Sequence, residues 1–230
     1  MAQGVQFDDL FKLKTTNQLE AFGNEVFFVE NSVSKEDNGY RTNLKSVDLS
    51  GNIYSWGTLN KNNLSPKVVG ANLYFTSQTG DDKSQLYKMP LSGGAAVKIT
   101  DFTGEVNQVV SSRNKRYLVF QTMETNEKPK LPSPEKTPTV RYVNRLQSKA
   151  DGYGWLPNDV VYTTWSFNPQ TGESDKLFSD NYGVDLMDVA NDGSQLLYVR
   201  EQDPNDDNNL SEDVYLYSLE TKNETALTGY

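Results

Sequence analysis

The sequence predicts an all-β chain built as part of a β-propeller, about four blades long. Three observations predict it. Short aromatic and β-branched runs alternate with period two, as half-buried strands do, rather than at the i, i+3, i+4 spacing of helices. The runs recur in a fixed order with a fixed set of turns. The recurrence distance is that of a propeller blade, about 40–50 residues holding several strands.

The first unit holds Val26-Phe27-Phe28-Val29, then Asn43-Leu44-Lys45-Ser46-Val47, the turn Leu49-Ser50-Gly51 and a last strand in Asn52 to Thr58. In the second, Leu73-Tyr74-Phe75 precedes Gln85-Leu86-Tyr87-Lys88-Met89, the turn at Leu91 to Gly94 and Ala96-Val97-Lys98-Ile99-Thr100. The third starts at Tyr117-Leu118-Val119-Phe120 and resumes at Val160 to Phe167, the turn Asn168 to Gly172 and Asp175-Lys176-Leu177-Phe178. The fourth pairs Leu196-Leu197-Tyr198-Val199 with Asp213-Val214-Tyr215-Leu216-Tyr217, turns at Leu219-Glu220-Thr221 and ends at Glu224 to Thr228. Val214 and Leu216 are expected on one face and Tyr215 and Tyr217 on the other. Taken at Phe28, Phe75, Phe120 and Tyr198, the steps are 47, 45 and 78 residues, so the third unit carries an insertion.

These spacings divide the chain into an N-terminal segment, 1–16, and units at about 17–58, 59–100, 101–178 and 179–230, with the insertion at 121–159. Phe7, Leu10, Phe11 and Leu13 are spaced for one face of a short helix. The insertion begins proline-rich, with Pro129, Pro132, Pro134 and Pro138, and reads as an extended loop. Val140 to Leu146 then reads as a strand, and Asp151-Gly152-Tyr153-Gly154-Trp155 as a turn. A β-sandwich would also supply evenly spaced strands, but it does not require the turns to recur in order.

Composition limits function. The chain has no histidine, the usual general base and a common metal ligand, so no Ser-His-Asp triad can be assembled from it. It has no cysteine, hence no disulfide and no thiolate site. No Gly-x-Ser-x-Gly elbow occurs. Catalytic residues, cofactors and metals are expected to be absent. A net charge of −9 without a basic patch disfavours nucleic acid and anionic membranes as partners. Met1 to Leu10 lacks the basic region and apolar core of a signal peptide, which leaves the cytoplasm as the expected location. Asp203, Asn205 and Asp207 echo a calcium loop, but Asn208 and Val214 stand where glycine and glutamate are required, so a solvated loop is expected. Sequons at Asn63, Asn209 and Asn223 carry little meaning without a secretory signal.

Several segments resemble the propeller of the prolyl oligopeptidase family of serine peptidases, in its acylaminoacyl-peptidase and dipeptidyl-aminopeptidase-like branch. Asp8 to Lys14 is similar to the opening of those enzymes, and Asn38 to Leu44 to their first long strand pair. Gln85 to Gly94 with Val97 to Thr100 is similar to a recurrent blade ending. Arg141 to Trp155 resembles a basic strand followed by an Asp-Gly-aromatic-Gly turn, and Val189 to Tyr198 an Asp-Gly turn entering a blade strand. The chain departs from the pattern at Gly23-Asn24, Gly70-Ala71 and Asn114-Lys115, where the Asp-Gly turn is missing.

The resemblance implies a TolB-like or acylaminoacyl-peptidase-like propeller that precedes an α/β-hydrolase domain, the chain stopping before that domain. It implies a lid that admits short peptides and helps to hold them. Arg141 and Arg145 share one face of an extended strand and suit a peptide carboxylate or carbonyl; the plainer reading is an exposed pair on a hairpin. Tyr153 and Trp155 either line a substrate path or pack beneath the loop. The competing function is a stand-alone, closed four-bladed module for protein or glycan partners. Exposed strand edges are also compatible with a homo-oligomer.

Overall fold

The structure is a computed structural model that describes residues 4, 6–36, 38–57, 62–80, 83–125, 149–150, 154–155, 160–202 and 211–229. A single 3-10 helix, Phe7–Lys12, opens the described chain. Its N-terminus is closed reciprocally by Gln6 and Asp9. The expected apolar face is only partly used, since Phe7 is 74% exposed and Leu13 61%.

Four antiparallel blades follow. Blade 1 holds β1 (Lys14–Phe22), β2 (Glu25–Ser34), β3 (Gly39–Asp48) and β4 (Ile53–Ser55), and blade 2 holds β5 (Asn62–Val69), β6 (Asn72–Gln78), β7 (Gln85–Pro90) and β8 (Val97–Lys98). Blade 3 is β9 (Glu105–Ser111), β10 (Leu118–Thr125), β13 (Val160–Asn168) and β14 (Glu173–Asp180); between β10 and β13 lie the two-residue strands β11 (Lys149–Ala150) and β12 (Gly154–Trp155). Blade 4 is β15 (Asp185–Val189), β16 (Gln195–Glu201), β17 (Glu212–Ser218) and β18 (Glu224–Ala226). Blades 1 and 2 are linked into one sheet by a single parallel pair, Thr42 with Asn62. The insertion expected from Gln121 begins later, because Gln121 to Thr125 still pair with Thr164 to Val160.

The blades are packed face to face, and period two is what makes this possible. In β6, Leu73 and Phe75 enter the cluster shared with Phe27, Val29 and Leu44 of blade 1. Tyr74, between them, enters the cluster shared with Val106, Leu118 and Phe120 of blade 3. Val119 turns the other way, onto Leu186, Leu196 and Tyr198 of blade 4, where Tyr215 and Tyr217 also lie, as the alternation of β17 requires. Phe75, Phe120 and Tyr198 are fully buried, each against the preceding blade. Truncating such an aromatic to alanine typically costs about 3–5 kcal/mol.

The first strands lie side by side, β1 on β5, β5 on β9 and β9 on β15, which is the radial order of a propeller axis. Each first-strand pairing is broken by a bulge, between Asn17 and Glu20, between Leu64 and Lys67, at Gln121/Thr122 opposite β9, and between Leu186 and Asp188. Bulges add twist and re-aim side chains. Among the described residues, blade 4 makes no contact with blade 1. The ring is therefore open, unlike the closed four-bladed module and unlike a two-sheet sandwich.

Candidate functional site

The second strand of every blade returns to the same end of the molecule, and the connections from second to third strand emerge there. β10 ends and β13 begins there, with residues 126–159 between them in the sequence. Of the residues expected to hold a peptide, Arg141, Arg145 and Tyr153 lie outside the described residues. Trp155 is described by its backbone alone, in β12 opposite Lys149. Asp203, Asn205 and Asp207 also lie outside the described residues.

At the seam between blades 3 and 4 is a recess of about 320 Å³ lined by Gln108, Gln121, Tyr162, Asp185, Arg200 and Glu212, among others. Its walls are knit by amides. Gln108 Nε2 donates to the Val184 carbonyl at 3.1 Å, and its Oε1 accepts from the Leu186 N–H at 2.9 Å. Gln121, 1% exposed, also donates to the Val184 carbonyl. The Arg200 guanidinium lies 2.9 Å from Glu224 and 3.8 Å from Asp180, and over the Tyr215 ring at 4.5 Å from its centroid. Tyr198 donates to the same Glu224, and burial, reinforced by that bond, holds its phenol protonated far above the ordinary range. The amides of Gln108 and Gln121 are thus engaged in holding the seam, as is the arginine, and the lining carboxylates of Glu201 and Glu212 are the charged groups the recess presents. Nothing in a single sequence marks Gln108 or Gln121. Their roles depend on Val184, more than 60 residues away.

A second cluster sits on the first strands. Glu20 of β1, 7% exposed, accepts from Lys115 of the β9–β10 turn and from the Val68 N–H at 3.3 Å, and lies 3.7 Å from Lys67 of β5. Burial pushes the Lys67 ammonium below its usual range, and Glu20 opposes that shift. The cluster ties blades 1, 2 and 3 together and is explained by packing. A third feature is an apolar recess of about 420 Å³ between the N-terminal helix and blade 1, lined by Leu10, Phe11, Leu13, Val33 and Tyr40. Tyr40 is 77% exposed. Among the described residues no group of three or more metal-ligating side chains is brought together.

The sequon at Asn63 is closed by the fold. Asn63 is 2% exposed, accepts from the Ser77 hydroxyl at 2.8 Å and donates to the Thr42 carbonyl at 3.3 Å.

No known family's sequence profile matches the chain. An uncharacterized peptidase of Bacillus subtilis, YuxL, is 27% identical over 209 residues, covering 88% of this chain and 32% of that protein. Among solved structures, the acylaminoacyl peptidase of Pyrococcus horikoshii matches with a TM-score of 0.71 at 13% identity, over 96% of this chain and 33% of that one. The β-propeller domain of the Trilobed protease from Pyrococcus furiosus matches at a TM-score of 0.56 and 12% identity, over 95% of this chain and 58% of that one. A TolB protein of Agrobacterium tumefaciens matches at 0.52 and 13%, over 89% of this chain and 58% of that one. The fold is that of a partial β-propeller, and the chain spans about a third of the length of the peptidases it matches. Among the described residues no helix is long and apolar enough to cross a membrane.

Proposed function

We propose that the chain is the propeller portion of a serine peptidase of the prolyl oligopeptidase family, of acylaminoacyl-peptidase type. In this reading the propeller covers an α/β-hydrolase domain of the same parent polypeptide, limits entry to short peptides and helps to hold them. The observation that carries it is the likeness over 96% of the chain to an acylaminoacyl peptidase that is three times longer, joined to a sequence match with a second peptidase.

The residues present fit a lid rather than a reaction centre. The chain has no histidine and no nucleophile elbow, so the nucleophile and its base have to come from elsewhere. A lid over a hydrolase excludes water and large chains from the reacting bond. The end with the 126–159 insertion is the end we assign to substrate. There Arg141 and Arg145 would hold a peptide carboxylate or carbonyl, with Tyr153 and Trp155 along the path. The exposed apolar surface of Leu10, Leu13 and Tyr40 at that end suits the hydrolase domain as a packing partner. The stand-alone binding module is the weaker reading, since it needs a closed ring and the described blades leave theirs open.

The test is the coding sequence that follows Tyr230, together with an assay of the chain with and without its product. An α/β-hydrolase domain with a Gly-x-Ser-x-Gly elbow, and aminoacyl or acylaminoacyl hydrolysis only by the longer protein, is the expected result. Hydrolysis by the 230 residues alone, or a longer protein with neither elbow nor activity, would overturn the reading.

A further inference from the structure

We infer that a groove at the seam between blades 1 and 2 takes the guanidinium of an arginine side chain, presented by an extended segment of a partner protein. The groove lies between two successive blades of the chain, at the end opposite to the one where β10 ends and β13 begins. The inference therefore does not depend on the peptidase reading.

Equivalent positions in the blades show why this seam is open. Three residues before Phe120, blade 3 carries Tyr117, whose ring packs against Gly193 of blade 4. Three residues before Phe28, blade 1 carries Glu25 instead. Nothing lies within 4 Å of a Cβ built on Gly70, the glycine of blade 2 equivalent to Gly193. The seam is left with a recess of about 450 Å³, lined by Glu25, Tyr54, Trp56, Met89, Leu91 and the Gly93-Gly94 turn, among others. A second recess of about 260 Å³, toward Phe22 and Asn24, shares Glu25, Trp56 and Leu91 with the first. Together they form one groove that passes Trp56 on both sides.

The charge of the groove asks for a cation. Alternation along β2 puts Glu25 on the face that carries Phe27, toward blade 2. Asp48 stands directly opposite Glu25 in β3, and like charges so placed are destabilising. Asp48 is engaged: it accepts from the Ser50 and Asn52 N–H groups, from Asn52 Nδ2 and from the Tyr54 hydroxyl. Glu25 has no ion-pair or side-chain hydrogen-bond partner among the described residues, and no lysine or arginine lines either recess. The walls beside it are aromatic. Trp56 is held in place by donation from Nε1 to Ser46 Oγ at 3.0 Å and by the Phe27 ring 5.4 Å away, and Tyr54 is 48% exposed. A free carboxylate beside aromatic faces suits a guanidinium, which stacks on a ring and donates two parallel hydrogen bonds to the carboxylate. A lysine ammonium has neither the plane nor the fork. Gly93 and Gly94 leave one rim without side chains, so a partner's main chain can approach closely, and the second recess receives a residue next to the arginine.

The experiment uses the chain as it is. A blocked leucyl-arginyl-leucine peptide should bind with a Kd of about 1 mM or tighter by calorimetry and change the tryptophan emission. Trp56→Phe should remove the emission change. The same peptide with citrulline, which keeps the shape and loses the charge, should bind at least about tenfold more weakly, and so should the arginine peptide to Glu25→Gln. Glu25→Gln should leave the thermal midpoint unchanged or raised, because it removes a like charge opposite Asp48. Glu220→Gln, on an exposed turn of blade 4, should leave binding unchanged and controls for the net charge of −9. No binding up to about 10 mM would overturn the proposal. So would equal binding of the citrulline or lysine peptide, equal binding of N-acetylarginine amide, an emission change that survives Trp56→Phe, or a Glu220→Gln loss as large as that of Glu25→Gln.

Discussion

The ring of Tyr117, just before β10 of blade 3, lies against Gly193 in the Asp-Gly turn of blade 4, so closely that a Cβ on Gly193 would stand 2.5 Å from two ring carbons. Gly193 also has φ of +74°, in the region that side chains rarely adopt. Asp192 fixes the same turn by accepting from the Ser194 N–H at 2.9 Å and from its hydroxyl. One glycine thus meets a local demand and an inter-blade demand at once. Gly193→Ala is expected to cost about 2–4 kcal/mol, from left-handed strain and overpacking together. Urea denaturation checks this, and the Tyr117→Leu background should recover part of the loss.

Gln85 is expected to be the most sensitive polar residue of the blade 2–3 seam. It is 3% exposed and makes four bonds. Nε2 donates to the Phe102 and Gly104 carbonyls at 3.0 and 2.9 Å, and Oε1 accepts from the Thr100 hydroxyl and the Phe102 N–H at 2.9 and 3.0 Å. Gln85→Leu keeps the volume and strands these groups, at a cost of about 2–4 kcal/mol. Gln85→Glu should also destabilise, because a carboxylate has no proton for the two carbonyls. Chemical denaturation with both variants tests whether pairing or volume is what counts.

The axial charge cluster gives a pH dependence with a definite sign. Burial places the folded-state pKa of Lys67 below its ordinary value, so the folded protein disfavours the ammonium. Its contribution opposes folding fully below the folded pKa, and that penalty fades as pH rises from there toward the unfolded value near 10.5. Lys67→Gln should remove this alkaline-side gain. Glu20→Gln should deepen the penalty, since it removes the carboxylate shared with Lys115, and should cost about 1–3 kcal/mol at neutral pH. Thermal melts of the three proteins between neutral and alkaline pH would show it. A Lys67→Gln curve parallel to that of the parent would contradict the assignment.

Arg141 and Arg145 can be tested only in a protein that hydrolyses peptides. In the chain extended by a hydrolase domain, Arg141→Ala with Arg145→Ala should raise KM for peptide substrates about tenfold or more, the loss expected of a charge-assisted hydrogen bond. Activity on a small uncharged ester should be retained. An unchanged KM would return the pair to the solvent-exposed face of a hairpin.

By itself the sequence determined the blades. Phe75, Phe120 and Tyr198 announce themselves because a strand packed between two blades is buried on both faces and reads as a short continuous apolar run, as in Leu73-Tyr74-Phe75, Leu118-Val119-Phe120 and Leu196-Leu197-Tyr198. The Asp192-Gly193 turn and the insertion were legible for the same reason, being local chemistry and local length. Missing histidine was a count and needed no structure. The tertiary structure decided what depends on distant residues. It extended β10 to Thr125, because the pairing of Gln121 to Thr125 lies with Thr164 to Val160. It made Asn63 a buried link, brought Gln108 and Gln121 to the Val184 carbonyl, and gathered Glu20, Lys67 and Lys115 on three blades. It left the ring open between blades 4 and 1 among the described residues. Packing between blades joins residues far apart in the chain, and no local period records which of them will meet.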